Sequence, residues 1–160
     1  MASAADWRKL ASALRELHRA LVERARRDYE KKHLVTLGPG ELLQLLTAND
    51  DFAWLRSLSE LMVEIDLVGD ASPPHQDEIA TAIRAAVEHV LAPAHPANTA
   101  SPFAQRYWSY VHDDPHAAMA HAGVKQAIAA WPRLEQGDSA RLLHERHRLA
   151  EKARHLSKRK

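Results

Sequence analysis

An all-α fold, a single-domain helical bundle of six to seven helices, is predicted by three features of this 160-residue sequence. The chain holds only five glycines, too few for the many turns of a β-sandwich or barrel. Alanine, leucine, arginine and glutamate are abundant, and all four favour helices. Apolar residues also recur every three or four positions, and capping residues precede five of the seven predicted helices. A chain of this length is most simply one domain.

The first three helices are predicted from apolar stripes. The first runs over residues 4–32, about 40 Å at 1.5 Å per residue, and its stripe is Trp7, Leu10, Leu14, Leu17 and Leu21. The turn LGPG at 37–40 ends it. The segment ELLQLLTAN at 41–49 has almost no polar face, which predicts a short buried helix. Residues 51–68 form the third, with Asn49 or Asp50 as its N-cap.

Proline and capping residues mark the later helices. Ser72–Pro73 precedes a helix over 76–91, and Ser101–Pro102 begins the next. Asp114–Pro115 begins a sixth, which must end near Trp131 because Pro132 follows. Asp138–Ser139 caps a last helix with a stripe of Leu142, Leu149 and Leu156. We therefore predict a bundle domain over 1–136 and a basic, His-rich helix or tail over 137–160. The predicted core includes Leu14, Leu17, Leu58, Leu61, Ile65 and Ile83.

The net charge of +1 conceals an uneven distribution. Residues 1–33 hold nine basic and five acidic residues, residues 34–138 hold five and fourteen, and residues 139–160 hold eight and two. Two basic ends thus flank an acidic middle. One interpretation is that the ends fold back onto the middle and neutralise it, and the other is a basic surface for an anionic partner.

Several classes of protein are disfavoured by the sequence. The absence of cysteine excludes disulfides, thiolate catalysis and cysteine-bound zinc. The N-terminal residues lack a signal-like apolar run, and no stretch approaches 18 apolar residues. A soluble, cytoplasmic protein without membrane contact is therefore expected. No nucleophile elbow, phosphate loop, dinucleotide fingerprint or zinc-protease motif occurs, so a non-enzymatic role is favoured.

The segment HERHRLAEKARH at 144–155 is the first candidate metal site. On a helix, four potential ligands fall within about 80° of one another, on the side opposite Leu142, Leu149, Ala153 and Leu156. The four potential ligands are His144, His147, Glu151 and His155. Such a group could bind Zn²⁺, Ni²⁺ or Cu²⁺. Against this, flanking arginines and lysines repel cations, and one such histidine spacing is expected by chance among 11 histidines. The alternative is the solvated face of a peripheral helix.

A second candidate lies in YVHDDPH, where His112 and His116 stand on either side of a predicted helix junction and could converge with His121. The structural alternative is that they line the junction. On the third helix, Glu60 and Glu64 could act as paired carboxylates, or could pair with Arg15 or Arg19.

The function that the sequence favours is an interaction or regulatory protein that self-associates, with a homodimer or a protein partner as the expected complex. Four of the nine aromatic residues cluster at 103–110, and Trp108 lies about 100° off the core stripe, which predicts an exposed ring at a dimer edge or ligand groove. A histidine-based metal-binding protein is the first alternative. Nucleic-acid binding through the tail RHRLAEKARHLSKRK is the second. The sequence predicts that the tail helix is peripheral to the bundle.

Overall fold

A computed structural model describes residues 2–70, 76–93 and 101–133 of the chain. The fold is all-α, as predicted, and no strand occurs within these ranges. A 3₁₀ helix at Asp50–Leu55 and six α-helices form the described part. The α-helices are α1 (Ala4–His33), α2 (Pro39–Ala48), α3 (Arg56–Asp70), α4 (Gln76–Leu91), α5 (Pro102–Asp113) and α6 (Pro115–Ile128). No helix of the described part is long and apolar enough to cross a bilayer.

Helix α1 is the scaffold on which the other helices pack. It begins at a capping box, in which the Asp6 backbone N–H donates to Ser3 Oγ at 3.3 Å and the Ser3 N–H donates to Asp6 Oδ2 at 2.8 Å. The predicted stripe is confirmed, since Trp7, Leu10, Leu14, Leu17 and Leu21 are all buried. The most extensive contacts of α1 are with α6 and then α3.

The predicted core is confirmed. Each of its six residues is at most 3% exposed, and all belong to one hydrophobic cluster: Leu14, Leu17, Leu58, Leu61, Ile65 and Ile83. The helix predicted over 51–68 differs in its first part. Asn49 Oδ1 accepts the backbone N–H of Asp51 at 2.8 Å, and residues 50–55 form the 3₁₀ helix before α3 begins. Its short turns bury Phe52, Trp54 and Leu55.

Helices α5 and α6 begin at their predicted caps. Ser101 Oγ accepts the Ala104 N–H at 3.1 Å, and Asp114 Oδ1 accepts the His116 N–H at 2.9 Å. Asp114 also terminates α5, so one residue both ends one helix and starts the next. Helix α6 ends before Trp131, which packs on Trp7 with ring centroids 4.8 Å apart. The end of α6 is thereby fixed beside the start of α1.

Three charged residues are buried in the described part of the chain, and the burial of two of them, Arg84 and Asp114, can be explained by their hydrogen bonds. Arg84 of α4 is 3% exposed, pairs with Glu88 at 3.0 Å and donates to the carbonyl oxygens of Ala129 and Trp131. Asp114 is 5% exposed and accepts from Arg27 at 2.8 Å. Each of these side chains forms hydrogen bonds with backbone groups at one end of α6 and an ion pair with a charged side chain. These interactions offset the cost of burying a charge.

The helix predicted to follow Asp138 and the cap predicted at Ser72–Pro73 lie outside the described residues. The domain boundary at 136–137 lies there too and stays a prediction.

Candidate interaction surface

The C-terminal end of α1 carries the least expected feature of the described chain. Leu34 follows the helix with φ 55° and ψ 42°, in the left-handed region that glycine usually occupies at this position. It is the one non-glycine residue with positive φ among those described. Its side chain is 91% exposed. Leu34 therefore bears the steric cost of this conformation without burying its side chain within the monomer.

The link that follows Leu34 is tied back to α1 by Glu30. The backbone carbonyl of Glu30 accepts the N–H of Val35 at 3.1 Å. The side-chain carboxylate of Glu30 accepts the backbone N–H of Leu37 at 2.8 Å. The same carboxylate binds Arg26 at 3.0 Å, which fixes its orientation. These bonds hold the link 34–38 in one conformation and present Leu34 and the 45%-exposed Val35 on the outside.

Helix α2 was expected to be buried, and that prediction is wrong. None of its residues is buried, and Leu43 is 63% exposed. Leu42, Leu45 and Leu46 are half-buried against the core, while the whole helix packs chiefly on the 3₁₀ helix. The outer side of α2 faces solvent, where Leu43 lies among the exposed polar residues Glu41, Gln44 and Thr47. Leu34, Val35 and Leu43 are the exposed large apolar residues of segment 34–48, and we call them the α2 surface.

Charges of both signs border the α2 surface. Lys31 and Lys32 stand on the last turn of α1, and Asp50 and Asp51 begin the 3₁₀ helix. Lys32 Nζ lies 3.6 Å from Asp51 Oδ2, which places the two groups side by side. The half-buried Tyr29 anchors this end to the core, with its ring 5.6 Å from that of Phe52. Exposed apolar side chains and charges of both signs are thus close in this part of the chain.

No protein-family model, curated protein or solved structure matches this chain. A functional assignment therefore depends on the residues and geometry described here.

The histidines at the junction of α5 and α6 have separate surroundings. His112 is exposed, with Nδ1 2.6 Å from the carbonyl oxygen of Trp108. His116 is exposed and lines a groove between α1 and α6. His121 is half-buried, with Nδ1 2.5 Å from the hydroxyl of Tyr107. Within the described ranges, no group of three or more His, Cys, Asp or Glu residues could hold a metal ion. Metal binding by His112 and His116 stays a prediction.

The other candidate ligands, His144, His147, Glu151 and His155, lie outside the described residues, as does the basic tail. Binding of Zn²⁺, Ni²⁺ or Cu²⁺ and binding of nucleic acid through these residues stay predictions.

Trp108 was expected to be exposed, and it is half-buried instead. Its ring packs edge-on against Tyr107, at 5.6 Å, and against His121, at 5.4 Å. Its indole N–H is buried without a hydrogen-bond partner among the described residues. Trp108 was predicted to be exposed because it lies off the apolar stripe of α5, but α6 packs against that side of α5 and covers the ring. Of the five exposed large apolar residues in the described part of the chain, Leu34, Val35 and Leu43 lie on the α2 surface, and the other two are Val63 of α3 and Met119 of α6.

The two glutamates of α3 differ in solvent access, since Glu60 is exposed and Glu64 is buried. Their role as paired carboxylates stays a prediction. Asp66, also on α3, lies 2.9 Å from Arg15 of α1. Together with the contacts Arg27–Asp114 and Lys32–Asp51, this ion pair confirms that the basic N-terminal segment folds onto the acidic middle.

Two half-buried histidines make acid destabilising. Burial lowers the pKa of His18, and burial followed by the charge of Lys125 lowers the pKa of His121. Because the unfolded chain then binds protons first, stability should be lost as the pH falls below about 6.5 toward the folded-state values. Urea unfolding at about pH 7.5 and about pH 5.5 measures this loss. The variant His18→Gln/His121→Gln should lose less stability over this range than the exposed-histidine control His89→Gln/His112→Gln. If the two double variants lost equal stability, His18 and His121 would not be the cause of the acid sensitivity.

Proposed function

We propose that this chain is a non-enzymatic interaction protein that self-associates through the α2 surface. The observation that carries the proposal is Leu34, a leucine held at positive φ with 91% of its side chain exposed. A strained residue that contributes little to the monomer is a pointer to function. An interface in which Leu34 becomes buried would give that side chain a role.

The apolar character of α2 supports the same conclusion. Its sequence PGELLQLLTA contains one charged residue, Glu41, whose carboxylate accepts the Gly38 N–H at 2.8 Å. Soluble monomers seldom expose apolar patches without a partner, and the centres of interfaces are poor in charge. Burying a fully exposed leucine contributes about 1.5–3 kcal/mol. In a two-fold dimer Leu34 and Leu43 of both copies become buried, so this contribution favours association twice over.

A second copy of the chain is the partner that the charges favour. A two-fold interface places each patch against itself, so it needs both signs of charge on one surface. Lys31 and Lys32 on one side and Asp50 and Asp51 on the other satisfy this requirement. In such a dimer the lysines of one subunit can meet the aspartates of the other, whereas a strongly acidic or basic partner would meet repulsion from half of the rim.

The test is the native mass over a concentration series, by analytical ultracentrifugation. The variant Leu43→Glu should weaken self-association by about tenfold or more, the loss typical of a buried interface residue. Val63→Glu is the matched control, since Val63 is 58% exposed on α3, outside the α2 surface. A monomeric wild-type chain at high concentration, or equal effects of the two variants, would refute the proposal.

Leu34 allows a prediction in which stability and association change in opposite directions. Glycine tolerates positive φ, so Leu34→Gly should raise the free energy of unfolding of the monomer by about 1 kcal/mol. The same change removes an apolar side chain and should weaken self-association. Urea unfolding in a Leu43→Glu background measures the first effect without interference from the dimer. A loss of monomer stability would show that Leu34 packs within its own chain.

A further inference from the structure

A groove between α1 and α6, distinct from the α2 surface, has no occupant among the described residues. Its volume is about 580 Å³. Four small residues line it: Ala13 and Ala20 from α1, and Ala120 and Gly123 from α6. Met119 also lines it and is 73% exposed. A Cβ atom at Gly123 would meet no other atom within 4 Å, so packing within the described structure does not require this glycine.

We propose that the C-terminal segment 139–160 of the same chain packs into this groove as a helix. The first reason is where the described chain ends. Trp131 packs on Trp7, so Arg133 lies beside the N-terminal end of α1 and the near end of the groove. The five residues 134–138 can span up to about 17 Å, whereas Ala13 is only about 9 Å along α1 from Trp7.

The second reason is that the leucines of segment 139–160 and the alanines of the groove have the same seven-residue spacing. Leu142, Leu149 and Leu156 are spaced seven residues apart, and so are Ala13 and Ala20 in the groove. Residues seven positions apart recur about every 10 Å along a helix axis. When two helices pack side by side at a shallow crossing angle, their seven-residue repeats therefore stay in register. With Leu142 at the level of Ala13, Leu149 falls at Ala20, so each leucine meets a small residue that leaves room for it.

The third reason is charge. Segment 139–160 carries eight basic and two acidic residues. Glu16 and Glu23 line the groove, seven residues apart, with side chains 61% and 48% exposed. Arg141 and Arg148 have the same separation. Glu23 already accepts from Arg26, and Glu16 lies 3.8 Å from Arg19, but a carboxylate has acceptor sites for a further donor.

The arginines of the groove do not oppose this docking. Arg27 donates to Asp114 at 2.8 Å, and Arg19 lies 3.8 Å from Glu16. A tethered segment also competes well against any free partner, because a short link gives it a millimolar effective concentration. In this arrangement His144, His147, Glu151 and His155 are on the side of the helix away from the groove, in solvent.

The absence of cysteine permits a direct test by disulfide cross-linking of the full chain. Met119 lies one helical turn from Gly123, and Ala153 lies one turn beyond Leu149 on the leucine side. The variant Met119→Cys/Ala153→Cys should form an intramolecular disulfide in oxidised glutathione, seen by intact mass and non-reducing gel mobility. The control Met119→Cys/Glu151→Cys places the second cysteine on the opposite side of the helix. Adding Leu149→Asp should lower the yield of the disulfide by about tenfold.

A second measurement leaves the segment unchanged and fills the groove. Gly123→Leu should block docking and make trypsin cleavage within 139–160 faster by about tenfold, while Gly123→Ala should leave the rate near that of the wild type. Interchain disulfides would assign the groove to a second copy and overturn the proposal. Equal cross-linking at positions 151 and 153, or equal cleavage of the two Gly123 variants, would overturn it as well.

Discussion

Replacing Leu61 with alanine should lower the free energy of unfolding by about 2–5 kcal/mol. Leu61 has no exposed surface and belongs to the hydrophobic cluster to which α1, α3 and α4 contribute. The substitution removes buried apolar atoms and leaves a cavity. Helix α3 packs against both α1 and α4, so neither neighbour can move in to fill the space without losing its own contacts.

Urea unfolding followed by circular dichroism measures this loss. Val63→Ala is the matched control, because Val63 lies two residues away on the same helix and is 58% exposed. Its effect should stay within about 0.5 kcal/mol. A loss below about 1 kcal/mol for Leu61→Ala, the lower part of the usual range for point substitutions, would contradict its place in the core.

The elements that the sequence predicted best are those where two local signals coincide. At α5 and α6, a capping side chain and a first-turn proline mark the start, and an apolar stripe follows. Capping depends on residues within one turn, so it is readable from sequence without knowledge of the tertiary structure. The stripe of α1 was predicted for a similar reason, since its apolar residues face one side and the polar residues face the other.

Helix α2 shows what periodicity cannot distinguish. A helix that is apolar on both sides can be buried in its own chain or can lie at an interface, and both give the same residue pattern. The difference depends on how many neighbours the fold supplies, and α2 packs chiefly on the 3₁₀ helix. The positive φ of Leu34 was likewise not predictable, because nothing in the residue type suggests a conformation that glycine prefers.

The buried charges were missed because their partners are distant in sequence. Arg84 binds carbonyl oxygens 45 and 47 residues away, and Asp114 binds an arginine 87 residues away. Asp114 was identified as a helix cap, which is its local role, but not as a buried acceptor. Candidate metal ligands raise the same difficulty. The spacing of His112 and His116 suggested a shared site, whereas the structure gives their side chains different surroundings.

Replacing Asp114 with alanine should cost about 2–4 kcal/mol of folding stability, since the change removes a helix cap and a charged hydrogen bond together. The Asp114 carboxylate accepts from the backbone at the start of α6 and from Arg27 of α1, and Arg24 lies 3.7 Å away. Asp114 thus links α1 to the junction of α5 and α6, and α1 and α6 are the two helices with the most extensive mutual contacts.

Asp114→Asn separates the two roles, because asparagine caps a helix about as well as aspartate but carries no charge. Burial alone would raise the pKa of Asp114, but hydrogen bonds from the His116 and Ala117 backbone and the charge of Arg27 outweigh it and lower the pKa. Its charge therefore stabilises the fold above about pH 3.9, the unfolded value, and that contribution is lost as the pH falls through the folded-state pKa.

Urea unfolding at neutral pH should thus rank wild type above Asp114→Asn and Asp114→Asn above Asp114→Ala. On acidification below about pH 4 the wild type should approach Asp114→Asn, because protonation removes the same charge that the substitution removes. If the gap between them stayed constant down to about pH 2, below the usual range for aspartate, the loss at neutral pH would come from packing or from the cap. The ion pair between Arg27 and Asp114 would then contribute little, and the stability of the junction would rest on the backbone hydrogen bonds alone.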